Sequence, residues 1–174
     1  MAIELIIEDG SGIENANSYT DLVYARIYAL NRGILLSSND DELSSFSIKA
    51  TDYLETLECR FQGNRSFLTQ NLSFPRTGVY LNGSEDPLPI NVIPKSLINA
   101  QIQLIIEQTN GFDLMPTVSP QDYVKKTKVG PIETEYSDPL SIGIMPVFTA
   151  VNALLAPLFG ECSTPKFSLR TIRV

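Results

Sequence analysis

Residues 94–109 limit the fold of this chain more than any other stretch. At 3.6 residues per turn they carry a narrow polar stripe, formed by Ser96, Asn99, Gln103 and Glu107. The rest of the circumference is apolar and consists of Leu97, Ile98, Ile102, Leu104, Ile105 and Ile106. A helix with so wide an apolar surface lies in the centre of a core, or is covered partly by a neighbouring subunit. The sequence therefore predicts a helical fold built around this segment, and it leaves both kinds of cover open.

Three further helices are predicted around this one. The first covers about residues 18–32, with Ser18 as its N-cap and Gly33 as its stop. Its apolar residues at helical spacing are Tyr19, Leu22, Val23, Ile27 and Leu30. Another helix covers about residues 41–59 and begins with acids, which the helix macrodipole favours at that end. The last covers about residues 146–156.

The second predicted helix has a clear apolar stripe, made of Leu43, Phe46, Ala50, Tyr53, Leu54 and Leu57. Asp52, Glu55 and Glu58 face away from that stripe. We interpret these acids as a solvated helix face and not as catalytic groups. The acids at the helix start, Asp40 to Glu42, are interpreted as capping residues and not as a metal site.

Residues 60–93 are predicted to be mostly loop with short strands, because Gly, Asn and Pro interrupt them repeatedly. Arg60, Arg65 and Arg76 are interleaved there with aromatic residues. Such interleaving is typical of single-strand nucleic-acid binding, in which bases stack on rings and arginines contact phosphates. Because the stretch has only these three basic residues before Lys95, we favour rings that anchor the loop to the core. DNA contact by the three arginines stays the alternative.

Residues 123–136 are predicted to form a β-hairpin that turns at Gly130-Pro131. One arm is basic and the other acidic, with Lys125, Lys126, Lys128, Glu133 and Glu135. Pairing of opposite charges across the strands explains this pattern, and an intersubunit or channel contact is the functional alternative.

Residues 161–174 are predicted to form an extended C-terminal arm. Basic and apolar residues alternate loosely in it: Lys166, Phe167, Leu169, Arg170, Ile172 and Arg173. Such a segment can add a strand to the sheet of a partner. The whole pattern predicts a mainly α fold with a small β component: a compact bundle of about four helices with a β-hairpin and long loops. One domain covers residues 1–160, and the arm follows it.

Composition excludes several classes of function. The chain has no His, which removes His-dependent nucleophile systems and His-ligated zinc. Cys59 and Cys162 are expected to be two free thiols of an intracellular protein, with a long-range disulfide as the weaker option. Phosphate-binding loops, nucleophile elbows and metal-ligand spacings are missing, so we expect no enzyme, cofactor or metal. No apolar run is long enough to cross a membrane, and the first residues do not resemble a signal peptide.

Charge is distributed unevenly along the chain. The formal net charge is −7, and the acidic excess falls on residues 1–60, whereas residues 121–174 are slightly basic. A net negative chain is a poor general binder of phosphate, because affinity for DNA comes mainly from Lys and Arg.

Several segments, in their order, resemble a phage family. They are EDGSGIENANSY, ATDYLE with RFQG, FPRTGVY, IPKSL, KVGPIETEY and ALLAPL. The chain resembles the tailed-phage head–tail connector proteins, also called adaptors, over roughly residues 7–159. Members of this group are often labelled DnaT-like single-stranded-DNA-binding proteins. Glu58 and Cys59 stand where this family often carries an aromatic residue, and the segment after Gly160 falls outside the resemblance.

The resemblance implies a structural role in the virion. Such adaptors form a ring, typically of twelve copies, below the portal protein at the neck, after synthesis in the host cytoplasm. The ring extends the channel for genomic DNA and docks a stopper or tail-completion protein. The arm, residues 161–174, is our candidate for portal docking. The label would instead imply an accessory protein that binds single-stranded DNA.

Overall fold

The computed structural model describes residues 3–116, 126–129, 132–135 and 148–162. The four helices in this part of the chain are α1 (Leu22–Leu30), α2 (Asp40–Glu55), α3 (Lys95–Thr109) and α4 (Thr149–Leu155). Two short antiparallel pairs accompany them: β1 (Asn64–Arg65) with β2 (Arg76–Thr77), and β3 (Lys126–Val129) with β4 (Ile132–Glu135). The predicted class, mainly α with about four helices and a β-hairpin, is confirmed.

Helix α3 is the centre of the core. It packs against α1, α2 and α4, and its fully buried side chains include Leu97, Ile102, Leu104 and Ile105. Of the two kinds of cover that the sequence left open, the structure shows the first, since helices of the same chain bury α3.

Helix α1 begins later than predicted and buries a different face. Its N-cap is Asp21, whose Oδ1 accepts the Tyr24 N–H at 2.7 Å, whereas Ser18 is buried in the core. The buried residues of α1 are Ala25, Tyr28 and Ala29. Two alanines have no bulk beyond Cβ, so α1 can approach its neighbours closely on this side. Three residues at the predicted apolar spacing are consequently exposed: Val23 by 65%, Ile27 by 50% and Leu30 by 60%.

Helix α2 buries the predicted stripe but ends earlier than predicted. Leu43, Ala50, Tyr53 and Leu54 lie in the core. The helix ends at Glu55, and a short 3-10 turn follows at Glu58–Arg60. The acidic start is capped by Asn39, whose side chain accepts the Asp41 N–H at 3.1 Å.

The aromatic residues of the long loop largely anchor it, as expected. Phe61 and Phe74 are buried and pack edge to face with ring centroids 5.1 Å apart. Phe61 also stacks on Phe159 at 5.7 Å and pairs with it in an isolated β-bridge. Tyr80 is the exception and stays about half exposed. The loop is therefore fixed both to the core and to the segment that follows α4.

The two cysteines are bonded to each other, so the expectation of two free thiols is wrong. The Cys59 and Cys162 Sγ atoms form a disulfide, with Cα atoms 5.2 Å apart. The Gly160 N–H donates to the Arg60 carbonyl at 2.7 Å. This contact and the Phe61–Phe159 pair bring the two cysteines, 103 positions apart, side by side. Spacing along the chain did not reveal this proximity.

The hairpin has the register that its charges predict. The strand β3 pairs with β4 so that Lys126 is opposite Glu135 and Lys128 is opposite Glu133. Lys125 lies outside the described residues, as do the arm residues from position 163 onward.

Among the helices that the structure describes, none is long and apolar enough to cross a membrane.

Candidate functional site

Arg65, one of the three candidate DNA-contacting arginines, is held by protein groups. Its Nε and Nη2 donate to the two carboxylate oxygens of Glu58 at 2.6 and 2.8 Å. Its Nη1 donates to the carbonyls of Gln70 and Asn71, both at 3.1 Å. The Arg65 guanidinium lowers the pKa of Glu58 below its ordinary value by hydrogen bonding to the carboxylate. Bidentate arginine–carboxylate pairs are among the stronger ionic contacts.

Arg76 is a structural residue of the loop. It is 6% exposed, and it donates to the carbonyls of Gln62 at 2.8 Å, Gly63 at 2.7 Å and Ser73 at 3.3 Å. Its Nη1 lies 3.6 Å from the same Glu58 carboxylate. Since these groups satisfy a buried cation, Arg76 stabilises the loop and is not presented to a ligand.

Arg60 lies on the ring of Phe159. The guanidinium carbon is 4.1 Å from the ring centroid, a distance typical of a cation–π contact. The residue is exposed. The structure thus gathers Arg65 and Arg76 around Glu58 and places Arg60 apart from them, on the ring of Phe159.

A second polar network lies beside this cluster and was missed by the sequence analysis. Glu55, interpreted as part of a solvated face, accepts the Tyr19 hydroxyl at 2.7 Å. It also accepts the N–H and the hydroxyl of Ser73 at 2.8 and 2.6 Å. Burial raises the pKa of Glu55 and raises that of Tyr19 well above its ordinary range. The network ties the end of α2 to the loop, and only long-range contacts reveal it.

The exposed side of α1 forms an apolar surface. We call Val23, Ile27 and Leu30 the α1 apolar face; they follow each other at helical spacing and are each at least half exposed. Leu35, just after the helix, is 79% exposed. Contiguous apolar surface of this kind marks interaction sites in many proteins.

An apolar groove lies at the start of α3. It has a volume of about 600 Å³. Its lining is Leu81, Asn82, Leu88, Val92, Ile93, Pro94, Lys95, Ser96 and Pro157. We call it the 81–96 groove. Its walls come from the long loop and from the turn after α4, so only the folded chain forms it.

The acids at the start of α2 have protein partners outside the helix, and the N-cap itself is Asn39, so their predicted capping role is wrong. Asp40 pairs with Arg26 at 2.6 Å, and Asp41 accepts the Ile3 N–H at 3.0 Å. In the part of the chain that the structure describes, no group of three acidic or sulfur side chains is arranged to hold a metal ion.

The other predicted site residues belong to the hairpin and to the C-terminal arm. The side chains of the hairpin residues Lys125, Lys126, Lys128, Glu133 and Glu135 lie outside the described part of the chain. The same holds for the arm residues Lys166, Phe167, Leu169, Arg170, Ile172 and Arg173.

The described part of the chain combines a small helical core and a hairpin with an exposed apolar helix face and an apolar groove. The comparison with family models gives the family directly: the chain belongs to the DnaT-like ssDNA binding protein family, whose model matches residues 3–174. No curated protein matches the chain, and no solved structure does.

Proposed function

We propose that this chain is a head–tail connector protein of a tailed phage and has no enzymatic activity. Copies would form a ring below the portal protein, line the path of genomic DNA and offer a platform to a stopper or tail-completion protein. The observation that carries this proposal is the α1 apolar face. A single chain covers α3 but leaves Val23, Ile27 and Leu30 in solvent.

Self-association through this face suits a ring. The α1 apolar face would contact a different surface of the next copy, and such heterologous contacts close into rings when the rotation permits. The contact would bury apolar surface, and each Å² removed from water stabilises the contact by roughly 25 cal/mol. The acidic excess of residues 1–60 would also suit a channel wall, because like charge keeps DNA phosphates from sticking.

The segments that carry the phage resemblance have structural roles in this chain. Glu8, in EDGSGIENANSY, is 2% exposed and accepts the N–H groups of Gly10, Gly12 and Ile13. Phe74 and Arg76, in FPRTGVY, are buried in the loop. The resemblance therefore concerns residues that build the fold, as expected for relatives that share an architecture.

The ring is tested by mixing the chain with the portal protein of its own phage and imaging the complex by electron microscopy. A ring below the portal is the expected result. Ile27→Asp should prevent the ring, whereas Leu68→Asp, at a fully exposed position outside α1, should not. Wild-type chain that stays monomeric with the portal present would reject the proposal.

The arm is tested in the same mixture. A variant truncated after Cys162 keeps the disulfide and the helical core, and we expect it to lose portal binding. Portal binding that is unchanged by the truncation would exclude the arm as the docking element.

The second candidate function is single-stranded DNA binding, and the description of the family favours it. Against it stand the net charge of −7 and the internal contacts of Arg65 and Arg76. Fluorescence anisotropy with a labelled oligo-dT at low salt tests it. Tight binding that weakens steeply with salt and is lost in Arg60→Gln would support this function. No binding at low salt would reject it.

A further inference from the structure

We propose that the 81–96 groove holds the C-terminal segment of its own chain, residues 163–174, in the unassembled protein. The docked segment would keep Phe167 and Leu169 out of water until a partner displaces it. This inference does not require the connector function, because it concerns the isolated chain alone.

The groove has the chemistry of a peptide site. Its walls are mostly aliphatic or proline side chains, and its volume of about 600 Å³ lies in the range of sites that bury a ligand. Val92, in its lining, is 37% exposed. An apolar segment that covers this exposed surface would remove it from water, which is favourable.

The chain outside the described residues begins close to the groove. Pro157 lines the groove, and Cys162, a few positions later, is fixed to Cys59 by the disulfide. Five residues span at most about 17 Å, and the segment 163–174 spans about 40 Å when extended. Residues 163–167 are therefore enough for the return, and Phe167 and the residues after it can lie in the groove.

The segment complements the groove in charge and pattern. In an extended backbone Phe167 and Leu169 point to one side, and Lys166 and Arg170 point to the other. Phe167 and Leu169 would enter the apolar groove. Lys166 and Arg170 would then lie near Glu85 and Asp86, two exposed acids on the loop that forms one wall. The C-terminal segment carries three basic residues and no acid after Glu161, whereas the charged side chains of the groove and its loop are one cation, Lys95, and the two acids.

The lack of Trp in this chain provides a clean test. Phe167→Trp would introduce the single tryptophan of the protein, and Leu68→Trp would give the reference for a fully exposed one. We expect the emission of the Phe167→Trp variant to be shifted to the blue of the reference and to be less quenched by acrylamide. Val92→Asp in the groove should remove both differences, whereas Leu35→Asp, at another exposed apolar position, should leave them. Circular dichroism would check that each variant is folded.

Three results of this experiment would overturn the proposal. Emission of the Phe167→Trp variant equal to that of the exposed reference would overturn it, and so would a blue shift that Val92→Asp does not change. A blue shift that disappears on dilution would also overturn it, since the groove would then hold the segment of a second copy. No portal or DNA is present in this experiment, so its failure is distinct from failure of the connector function.

Discussion

Single carboxylates organise the loops of this protein. Eight acidic side chains of the first third accept hydrogen bonds from named protein groups: Glu8, Asp9, Asp21, Asp40, Asp41, Glu42, Glu55 and Glu58. Glu8 is the clearest case, because one buried carboxylate gathers three loop N–H groups. The acidic excess that composition assigns to this part of the chain is thus largely engaged in contacts with the chain's own groups.

The Glu58–Arg65 pair predicts a pH dependence of stability. The pKa of Glu58 is lowered in the folded chain. Its contribution is therefore present above the ordinary value of 4.5 and is lost as pH falls through the lowered value. Glu58→Gln should reduce the free energy of unfolding by about 0.5–1 kcal/mol at neutral pH, because the pair is partly exposed and screened. Urea unfolding of both proteins across the acid range measures the difference, which should shrink as pH falls.

The exposed Glu14→Gln variant is the matched control for this prediction and should follow the wild type. A difference between Glu58→Gln and wild type that grows on acidification would contradict the role given to the pair.

Between α2 and α3 the core contains a polar contact. Gln101, on α3, is fully buried, and its Nε2, which has two N–H groups to donate, lies 2.9 Å from the hydroxyl oxygens of Ser18, Ser47 and Thr51. Its Oε1 accepts the Tyr19 N–H at 3.0 Å. One side chain therefore joins α3 to α2 and to the segment before α1.

Gln101→Leu should destabilise the protein by about 1–3 kcal/mol, because the apolar side chain leaves the buried Tyr19 N–H without its acceptor. The two side chains have a similar size, so the loss reports on the polar contacts and not on a cavity. Thermal and urea unfolding measure it. Gln103→Leu, on the partly exposed stripe of the same helix, is the control and should change stability by less than about 1 kcal/mol.

The helices could be predicted because their apolar residues recur at helical spacing. The apolar stripe that this spacing predicts for α2 is the face that the structure buries. The buried face of α1 was predicted wrongly, because Val23, Ile27 and Leu30 are exposed, whereas Ala25 and Ala29 carry the packing. Gln101 and Glu55 were also missed. Their partners lie far along the chain, and a single sequence does not show which polar residue meets which.

At the scale of the whole molecule, one disulfide joins two distant parts of the chain. Bonding Cys59 to Cys162 links the end of the α2 region to the segment after α4 and encloses most of the loop, α3 and the hairpin. A cross-link over so many residues restricts the unfolded chain and typically contributes about 2–4 kcal/mol. We expect a reducing agent to lower the melting temperature of the wild type.

A Cys59→Ser, Cys162→Ser double variant should melt at the temperature of the reduced wild type and should not respond to the reducing agent. Wild-type protein whose melting temperature is the same with and without reductant would contradict the stabilising role of the bond.

The central position of α3 also has a consequence for biosynthesis. Its covers α1 and α2 precede it in the chain, so they are already outside the ribosome when α3 emerges. The remaining cover, α4, begins forty positions after the end of α3. Domains acquire structure from the N-terminus during translation at about 5–20 residues per second, so the synthesis of this stretch takes at least about two seconds. During that interval the nascent chain presents a partly covered apolar helix, and this is when a chaperone would bind it.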